Sequence, residues 1–84
     1  MTHELKIHPQ YFRDVSLNLK KVEIRKNDRN YQERDILILN EWDPEAQKYT
    51  GNQVKRKVTY VLKDCPGLID GYVILQMIPY ENSN

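Results

Sequence analysis

The segment at residues 35 to 42 constrains the fold more than any other part of this chain. Its residues 36 to 39 are all aliphatic, so a strand formed there is apolar on both faces. Strands with two apolar faces are typical of positions inside a sheet, where both faces are covered. We therefore expect this segment to be a central strand of a barrel or sandwich.

The other apolar residues predict four further strands and one helix. Alternation indicates strands at residues 4–8, 20–26, 53–62 and 72–78. Pro9 is favourable at the first position of a helix, and residues 10–17 then have one apolar face. Asn18 tolerates the left-handed conformation that closes many helices. The expected order is therefore strand, helix and four strands, separated by turn-forming polar segments.

Length and composition favour one small domain. The chain has 84 residues, of which 39% are hydrophobic and 30% charged, values that exclude both a disordered segment and a membrane protein. We expect an α+β domain over residues 1–80, a small barrel of about five strands with one short helix after the first strand, followed by a disordered tail at 81–84. No apolar run approaches the ~20 residues that span a bilayer, and the N-terminus does not resemble a secretory signal, so we expect a cytoplasmic protein.

The residues that commonly bind metals are few. Cys65 is the single cysteine, so a disulfide within the chain is impossible. His3 and His8 are five residues apart on one predicted strand, which directs them to opposite faces. We therefore predict no metal site and no cofactor.

Positive charge is concentrated in two segments, although the net charge is only +1. Residues 20–34 contain six basic and three acidic residues, and residues 52–63 contain four basic and no acidic ones. If the two segments are neighbours in space they form a positive face suited to nucleic acid. Alternatively, these lysines only protect strand edges from aggregation.

The strand at residues 20–26 divides into an apolar and a polar half. Alternation places Val22 and Ile24 on one face, which we expect to be buried, and Glu23 and Arg25 on the other. Glu23 and Arg25 can form a charge-assisted pair, and Lys20 lies at the turn that precedes the strand. The alternative interpretation is a surface salt bridge that only stabilises the turn.

The segment 18–25, Asn-Leu-Lys-Lys-Val-Glu-Ile-Arg, resembles the Gly-x-Lys-x-x-Glu-x-Arg motif of ASCH domains. Lys20, Glu23 and Arg25 match it, and Asn18 replaces the glycine. The continuation to residue 28, and residues 35–39, 41–44 and 71–75, are similar to a small, largely uncharacterised bacterial and phage subfamily. Arg34 occupies a position where many of these relatives have glycine. The resemblance implies a PUA-like barrel over residues 1–80.

The resemblance also implies that the polar segment binds RNA or a nucleotide-like ligand. Cations can contact phosphates or base carbonyls, and exposed aromatic rings can stack on unpaired bases. Tyr31, Trp42 and Tyr60 are candidate rings, although Tyr60 lies on an apolar strand face where core packing is favoured. The predicted binding residues are Lys20, Glu23, Arg25, Lys26, Asn27, Asp28, Arg29, Trp42, Lys55 and Lys57, with Arg56 lying between the last two.

Two other functions remain open at this point. Some ASCH relatives are amidohydrolases that act on modified nucleosides, but their nucleophilic threonine falls at Glu23 here. No Ser-His-Asp or Cys-His arrangement is visible elsewhere in the sequence, so a binding module without catalytic residues is favoured. The third possibility is a phage-type protein-interaction module. We expect a monomer.

Overall fold

The computed structural model describes residues 1–80, so the predicted disordered tail at 81–84 lies outside the described residues. The chain begins with a strand and a short helix, and four strands follow, as the sequence predicted. The elements are β1 (Thr2–Ile7), α1 (Pro9–Ser16), β2 (Val22–Lys26), β3 (Ile36–Asp43), β4 (Lys48–Lys63) and β5 (Tyr72–Pro79).

The five strands form one sheet that curls into a half-barrel. Their order across the sheet is β1-β3-β4-β5-β2. β1 and β3 run parallel, whereas the pairs β3–β4, β4–β5 and β2–β5 are antiparallel. The first and second strands of the chain are therefore the two edges of the sheet.

β3 is an internal strand, as its two apolar faces predicted. Its inner residues Leu37 and Leu39 are completely buried, whereas Ile36 and Ile38 on the outer face are only partly buried. The hydrophobic core therefore lies on the concave side of the sheet, where α1 also packs. Its members are Leu5, Ile7, Val15, Tyr31, Leu37, Leu39, Val58, Val73, Leu75 and Met77.

The end of α1 determines where β2 begins. Asn18 has a φ of 60°, in the left-handed region, as its position at the expected helix end predicted. The Asn18 N–H donates to the Val15 carbonyl at 2.9 Å, and the Leu19 N–H donates to the Asp14 carbonyl at 2.9 Å, which is the Schellman pattern. Lys20 also donates its N–H to Asp14, at 3.0 Å, so its backbone is held at the turn.

In the described part of the chain, no helix has the length and apolarity needed to span a bilayer.

β2 turns its apolar residues outward. Glu23 is only 5% exposed, whereas Val22 is 39% and Ile24 60% exposed. The prediction that Val22 and Ile24 form the buried half is therefore wrong. Alternation correctly placed these two residues on one face, but the register with β5 aligns Glu23 with the buried Leu75 and so directs the carboxylate inward.

Two arginines connect the edges of the half-barrel. β1 and β2 do not pair directly, and the Glu4 and Lys6 carbonyls on the open side of β1 require other donors. Arg25 donates to the Lys6 carbonyl at 2.8 Å, and Arg29 donates to the Glu4 carbonyl at 2.9 Å. These side chains therefore join the two edge strands and cover part of an exposed strand edge.

A buried carboxylate fastens β1 to the start of β3. Asp35 is 4% exposed, and its Oδ2 lies 2.8 Å from Nε2 of His3 and accepts the Gln32 N–H at 3.0 Å. Its Oδ1 accepts from the Met1 amino group at 3.0 Å. Burial raises the pKa of Asp35, but these hydrogen bonds outweigh it and hold the pKa below its ordinary value of 3.8.

Replacement of Asp35 by Asn should destabilise the fold and weaken its pH dependence. A lowered pKa means that ionised Asp35 stabilises the protein above pH ~4, and that this contribution is lost as the pH falls through the native pKa. We expect Asp35→Asn to lower the unfolding free energy at pH 7 by about 1–3 kcal/mol, with a smaller further loss on acidification than in the unmodified protein. Urea unfolding at several pH values between 7 and 2 measures both effects. Asp70→Asn, at an exposed turn, is the matched control and should change neither.

Candidate ligand-binding cleft

An open cleft lies where the end of β1, the start of α1 and the edge strand β2 meet. Its volume is about 440 Å³, comparable to that of many small-ligand sites. The three elements follow one another in the chain, and all lining residues lie between positions 6 and 25, but only the packing of these elements forms the cleft. The lining residues are Lys6, Ile7, His8, Tyr11, Lys20, Val22, Glu23, Ile24 and Arg25.

Glu23 anchors two cations at this cleft. Its Oε1 accepts a hydrogen bond from Lys20 Nζ, and its Oε2 accepts from Arg25 Nε at 2.9 Å. The Lys20 ammonium also donates to the Val22 carbonyl at 2.6 Å. The side chains of Lys20 and Arg25 are 25% and 24% exposed, whereas that of Glu23 is 6% exposed. The carboxylate is therefore covered, and both cations remain reachable from solvent.

The lining of the cleft combines positive charge with an aromatic wall. Lys6, Lys20 and Arg25 supply three cations, and Glu23 is the one carboxylate among the lining residues. Tyr11 is 45% exposed, and its ring centre lies 5.6 Å from Lys20 Nζ. A flat ring beside an excess of hydrogen-bond donors suits a ligand that is both aromatic and anionic or rich in carbonyl oxygens.

The structure brings together the three residues of the predicted motif, Lys20, Glu23 and Arg25. The residues that follow them are placed differently. Lys26 and Asp28 are exposed and do not line the cleft, and Arg29 binds the β1 carbonyl described above. Asn27 has a local role, since its side-chain oxygen accepts the Tyr31 N–H at 3.2 Å.

The predicted site residues on β3 and β4 lie away from the cleft floor. Trp42 is at the rim, where Lys6 Nζ lies 3.9 Å from its ring centre and Tyr49 contacts it edge-on at 4.9 Å. Lys55 and Lys57 are on the outer face of the sheet, because the alternate position between them, Arg56, is buried and donates to the Val15 carbonyl at 2.7 Å. The two basic segments therefore do not form one positive face around this cleft.

The aromatic candidates also differ from expectation. Tyr31 is buried, with its ring centre 4.8 Å from that of His3, and burial raises the pKa of its phenol. Tyr60 is 50% exposed, so the prediction that it packs in the core is wrong. A β-bulge between Val58 and Tyr60 shifts the alternation by one residue, which turns Tyr60 outward and Val61 inward.

Sequence patterns did not identify Lys6 and Tyr11 as site residues. Lys6 occupies a polar position of β1, and Tyr11 is on the short helix, so each is ordinary for its own element. Only the packing of these elements against β2 places both beside Lys20.

Removal of the Glu23 charge should release both cations. We expect Glu23→Gln to lower the unfolding free energy by about 1–2 kcal/mol, since two charge-assisted hydrogen bonds become neutral ones in a partly exposed setting. The Arg25 Nε–H signal, followed by NMR, should exchange faster with solvent in this variant. Glu33→Gln, at an exposed loop position, is the control and should leave both measurements unchanged. An unaltered Arg25 signal in Glu23→Gln would contradict the assigned anchor.

Comparison with known proteins places this chain among phage-related sequences of unknown function. Residues 2–77 match the family model described as a domain of unknown function, DUF3850. The chain is similar to an uncharacterised 12.9 kDa protein in the GpA 3′ region of Escherichia phage P2, with 41% identity over 76 residues. That alignment covers 90% of this chain and 67% of the phage protein. The chain therefore belongs to the DUF3850 family.

Proposed function

We propose that this protein binds RNA or a nucleotide-like ligand in the cleft, as a module of the ASCH and PUA-like type. The observation that carries the proposal is the buried Glu23, which holds Lys20 and Arg25 at an open cleft beside the exposed ring of Tyr11. The motif of Lys20, Glu23 and Arg25 supports the ASCH assignment.

The energetics of Glu23 favour a binding role over a purely structural one. Burial of a carboxylate is costly, and even a well-paired buried ion cluster is often no more stabilising than apolar residues of similar volume. In this cluster both basic side chains stay partly exposed at the cleft. A fixed carboxylate that orients two reachable cations reduces the entropy lost when a ligand binds them.

The cleft suits a ligand of about the size of one nucleotide. Lys20 and Arg25 can bind a phosphate or a base carbonyl, and the Tyr11 ring offers a surface on which a base can stack. Val22 and Ile24 add aliphatic surface to the wall next to the cations. A ligand strand can extend from the cleft toward Lys6 and the Trp42 ring at the rim.

The lining favours binding over hydrolysis. The amidohydrolase alternative requires a threonine nucleophile beside its base, and that position is Glu23 here. The described residues that line the cleft include no serine, threonine or cysteine, and both oxygens of Glu23 are bound to cations. We therefore propose a binding function for the cleft and assign no catalytic residue.

Replacement of Lys20 should weaken the binding of single-stranded RNA. We expect Lys20→Gln to raise the Kd for a fluorescein-labelled oligouridine about tenfold, because one of the two oriented cations is lost. Fluorescence anisotropy at several salt concentrations measures this change, together with a shallower dependence on salt.

Lys48→Gln makes the same change of charge at an exposed position of the β3–β4 hairpin and serves as the control. An equal loss in both variants would indicate a diffuse charge effect and contradict the site. Absence of binding by the unmodified protein at low salt, to RNA and to nucleotides alike, would contradict the proposed function.

Replacement of Tyr11 should distinguish nucleotide binding from simple anion binding. We expect Tyr11→Leu to weaken binding of a nucleoside monophosphate about tenfold while leaving the binding of inorganic phosphate unchanged, since base stacking contributes roughly 1–3 kcal/mol. Calorimetric titration of both ligands provides the comparison. Tyr60→Leu removes a similarly exposed ring outside the cleft and should affect neither. A Tyr11→Leu variant that binds the nucleotide normally would exclude stacking on this ring.

A further inference from the structure

The outer face of β2, β5 and β4 carries a largely apolar surface. Residues aligned across antiparallel strands share a face, so the register defines the rows of this surface. One row consists of Ile24, Ile74 and Leu62, and the next consists of Val22, Gln76 and Tyr60. A third row, toward the far end of β5, brings Ile78 beside Lys57. We call these three rows the outer surface.

Much of the outer surface is in contact with solvent. Ile24 is 60% exposed, Tyr60 50%, Ile78 48% and Val22 39%. Within residues 1–80 the single helix packs on the opposite, concave side, so no second layer covers these side chains. Exposed apolar groups scattered singly need no explanation, but a contiguous patch on a sheet face is typical of an interaction site.

The strands that form the outer surface carry charge of one sign on that face. The segments of β2, β4 and β5 contain one carboxylate, Glu23, and it points into the cleft. Lys26, Lys55 and Lys57 point outward with the apolar rows, according to strand alternation. The surface is therefore largely apolar, with Gln76 in its middle row, and its strand residues supply only positive charge.

We propose that the outer surface binds an acidic, amphipathic protein segment, with apolar side chains against the aliphatic rows and carboxylates against the lysines. A helix with one apolar stripe is the element that most often covers an open sheet face. The outer surface adjoins the cleft at β2, where Val22 and Ile24 border both, but extends well beyond it, because Tyr60, Ile74 and Ile78 do not line the cleft.

Charge and chemistry favour this occupant over two others. A second copy of the chain would bring its own lysine margin against Lys55 and Lys57, without carboxylates on the same face to offset the repulsion. Nucleic acid would match the lysines but leave Ile24, Ile74 and Ile78 without apolar partners.

A matched pair of synthetic peptides tests the proposal. Both are amphipathic helices of about 15 residues with leucines on one face, flanked by glutamates in one peptide and by lysines in its twin. We expect the acidic peptide to bind, to bind less tightly as salt increases, and to shift the NMR signals of Ile74 and Ile78. The lysine twin should bind at least tenfold more weakly.

Variants locate the contact. The double variant Tyr60→Thr/Ile78→Thr should weaken binding of the acidic peptide at least fivefold, whereas Ile69→Thr, at a 70% exposed loop position, should not. Lys55→Gln/Lys57→Gln keeps the apolar rows, and should lower both the affinity and its salt dependence. If Tyr60→Thr/Ile78→Thr does not fold, the Lys55→Gln/Lys57→Gln variant still tests whether the acidic peptide binds at the outer surface.

Three results would overturn the proposal. The first is failure of the acidic peptide to bind, or equal binding of both peptides. The second is self-association in sedimentation experiments that Tyr60→Thr/Ile78→Thr abolishes, which would identify a second copy as the occupant. The third is binding of labelled oligouridine that depends on Lys55 and Lys57 but not on Lys20, which would assign the outer surface to nucleic acid.

Discussion

The guanidinium of Arg25 connects the fold to the cleft. Its Nε–H binds the buried carboxylate of Glu23, and its terminal N–H₂ group binds the Lys6 carbonyl on the opposite edge of the sheet. The planar group with several donors can make both contacts in one orientation, which a lysine ammonium on a flexible stem does less well. The position of β1 against β2, and therefore the width of the cleft, depends on this side chain together with Arg29, which binds the Glu4 carbonyl.

β2 is an edge strand whose two faces are reversed relative to an ordinary half-buried strand. A carboxylate with two cations lies inside, and two β-branched aliphatic residues lie outside. A strand with its aliphatic residues inside and its charged residues outside would be more stable. Burial of paired charges stabilises a fold little, and aliphatic side chains that stay exposed contribute no hydrophobic stabilisation. This double cost is accounted for if each face has its own ligand, a nucleotide-like one inside and an acidic protein segment outside, as we propose.

The remaining buried polar groups secure the elements around the cleft. Asp35 links the beginning of β3 to His3 on β1, and Arg56 links β4 to the Val15 carbonyl near the end of α1. A cation near a helix C-terminus interacts favourably with the helix dipole, which helps to compensate for the burial of Arg56. Both clusters lie where two elements meet, and they position β1 and α1, two of the three walls of the cleft.

The sequence by itself determined what depends on neighbours along the chain. These features include the order of the elements, the turn at Asn18 and the proximity of Lys20, Glu23 and Arg25, because hydrogen bonds and strand spacing over a few residues decide them. Alternation has two equivalent solutions, however, so it could not determine which face of β2 points inward. The register with β5 decided that question. Likewise, only the bulge turned Tyr60 outward, and only the curl of the sheet brought Lys6 and Tyr11 to Lys20 while leaving Lys55 and Lys57 on the other face. Contacts between strands distant in sequence fix these features, and their free energies do not appear in any local pattern.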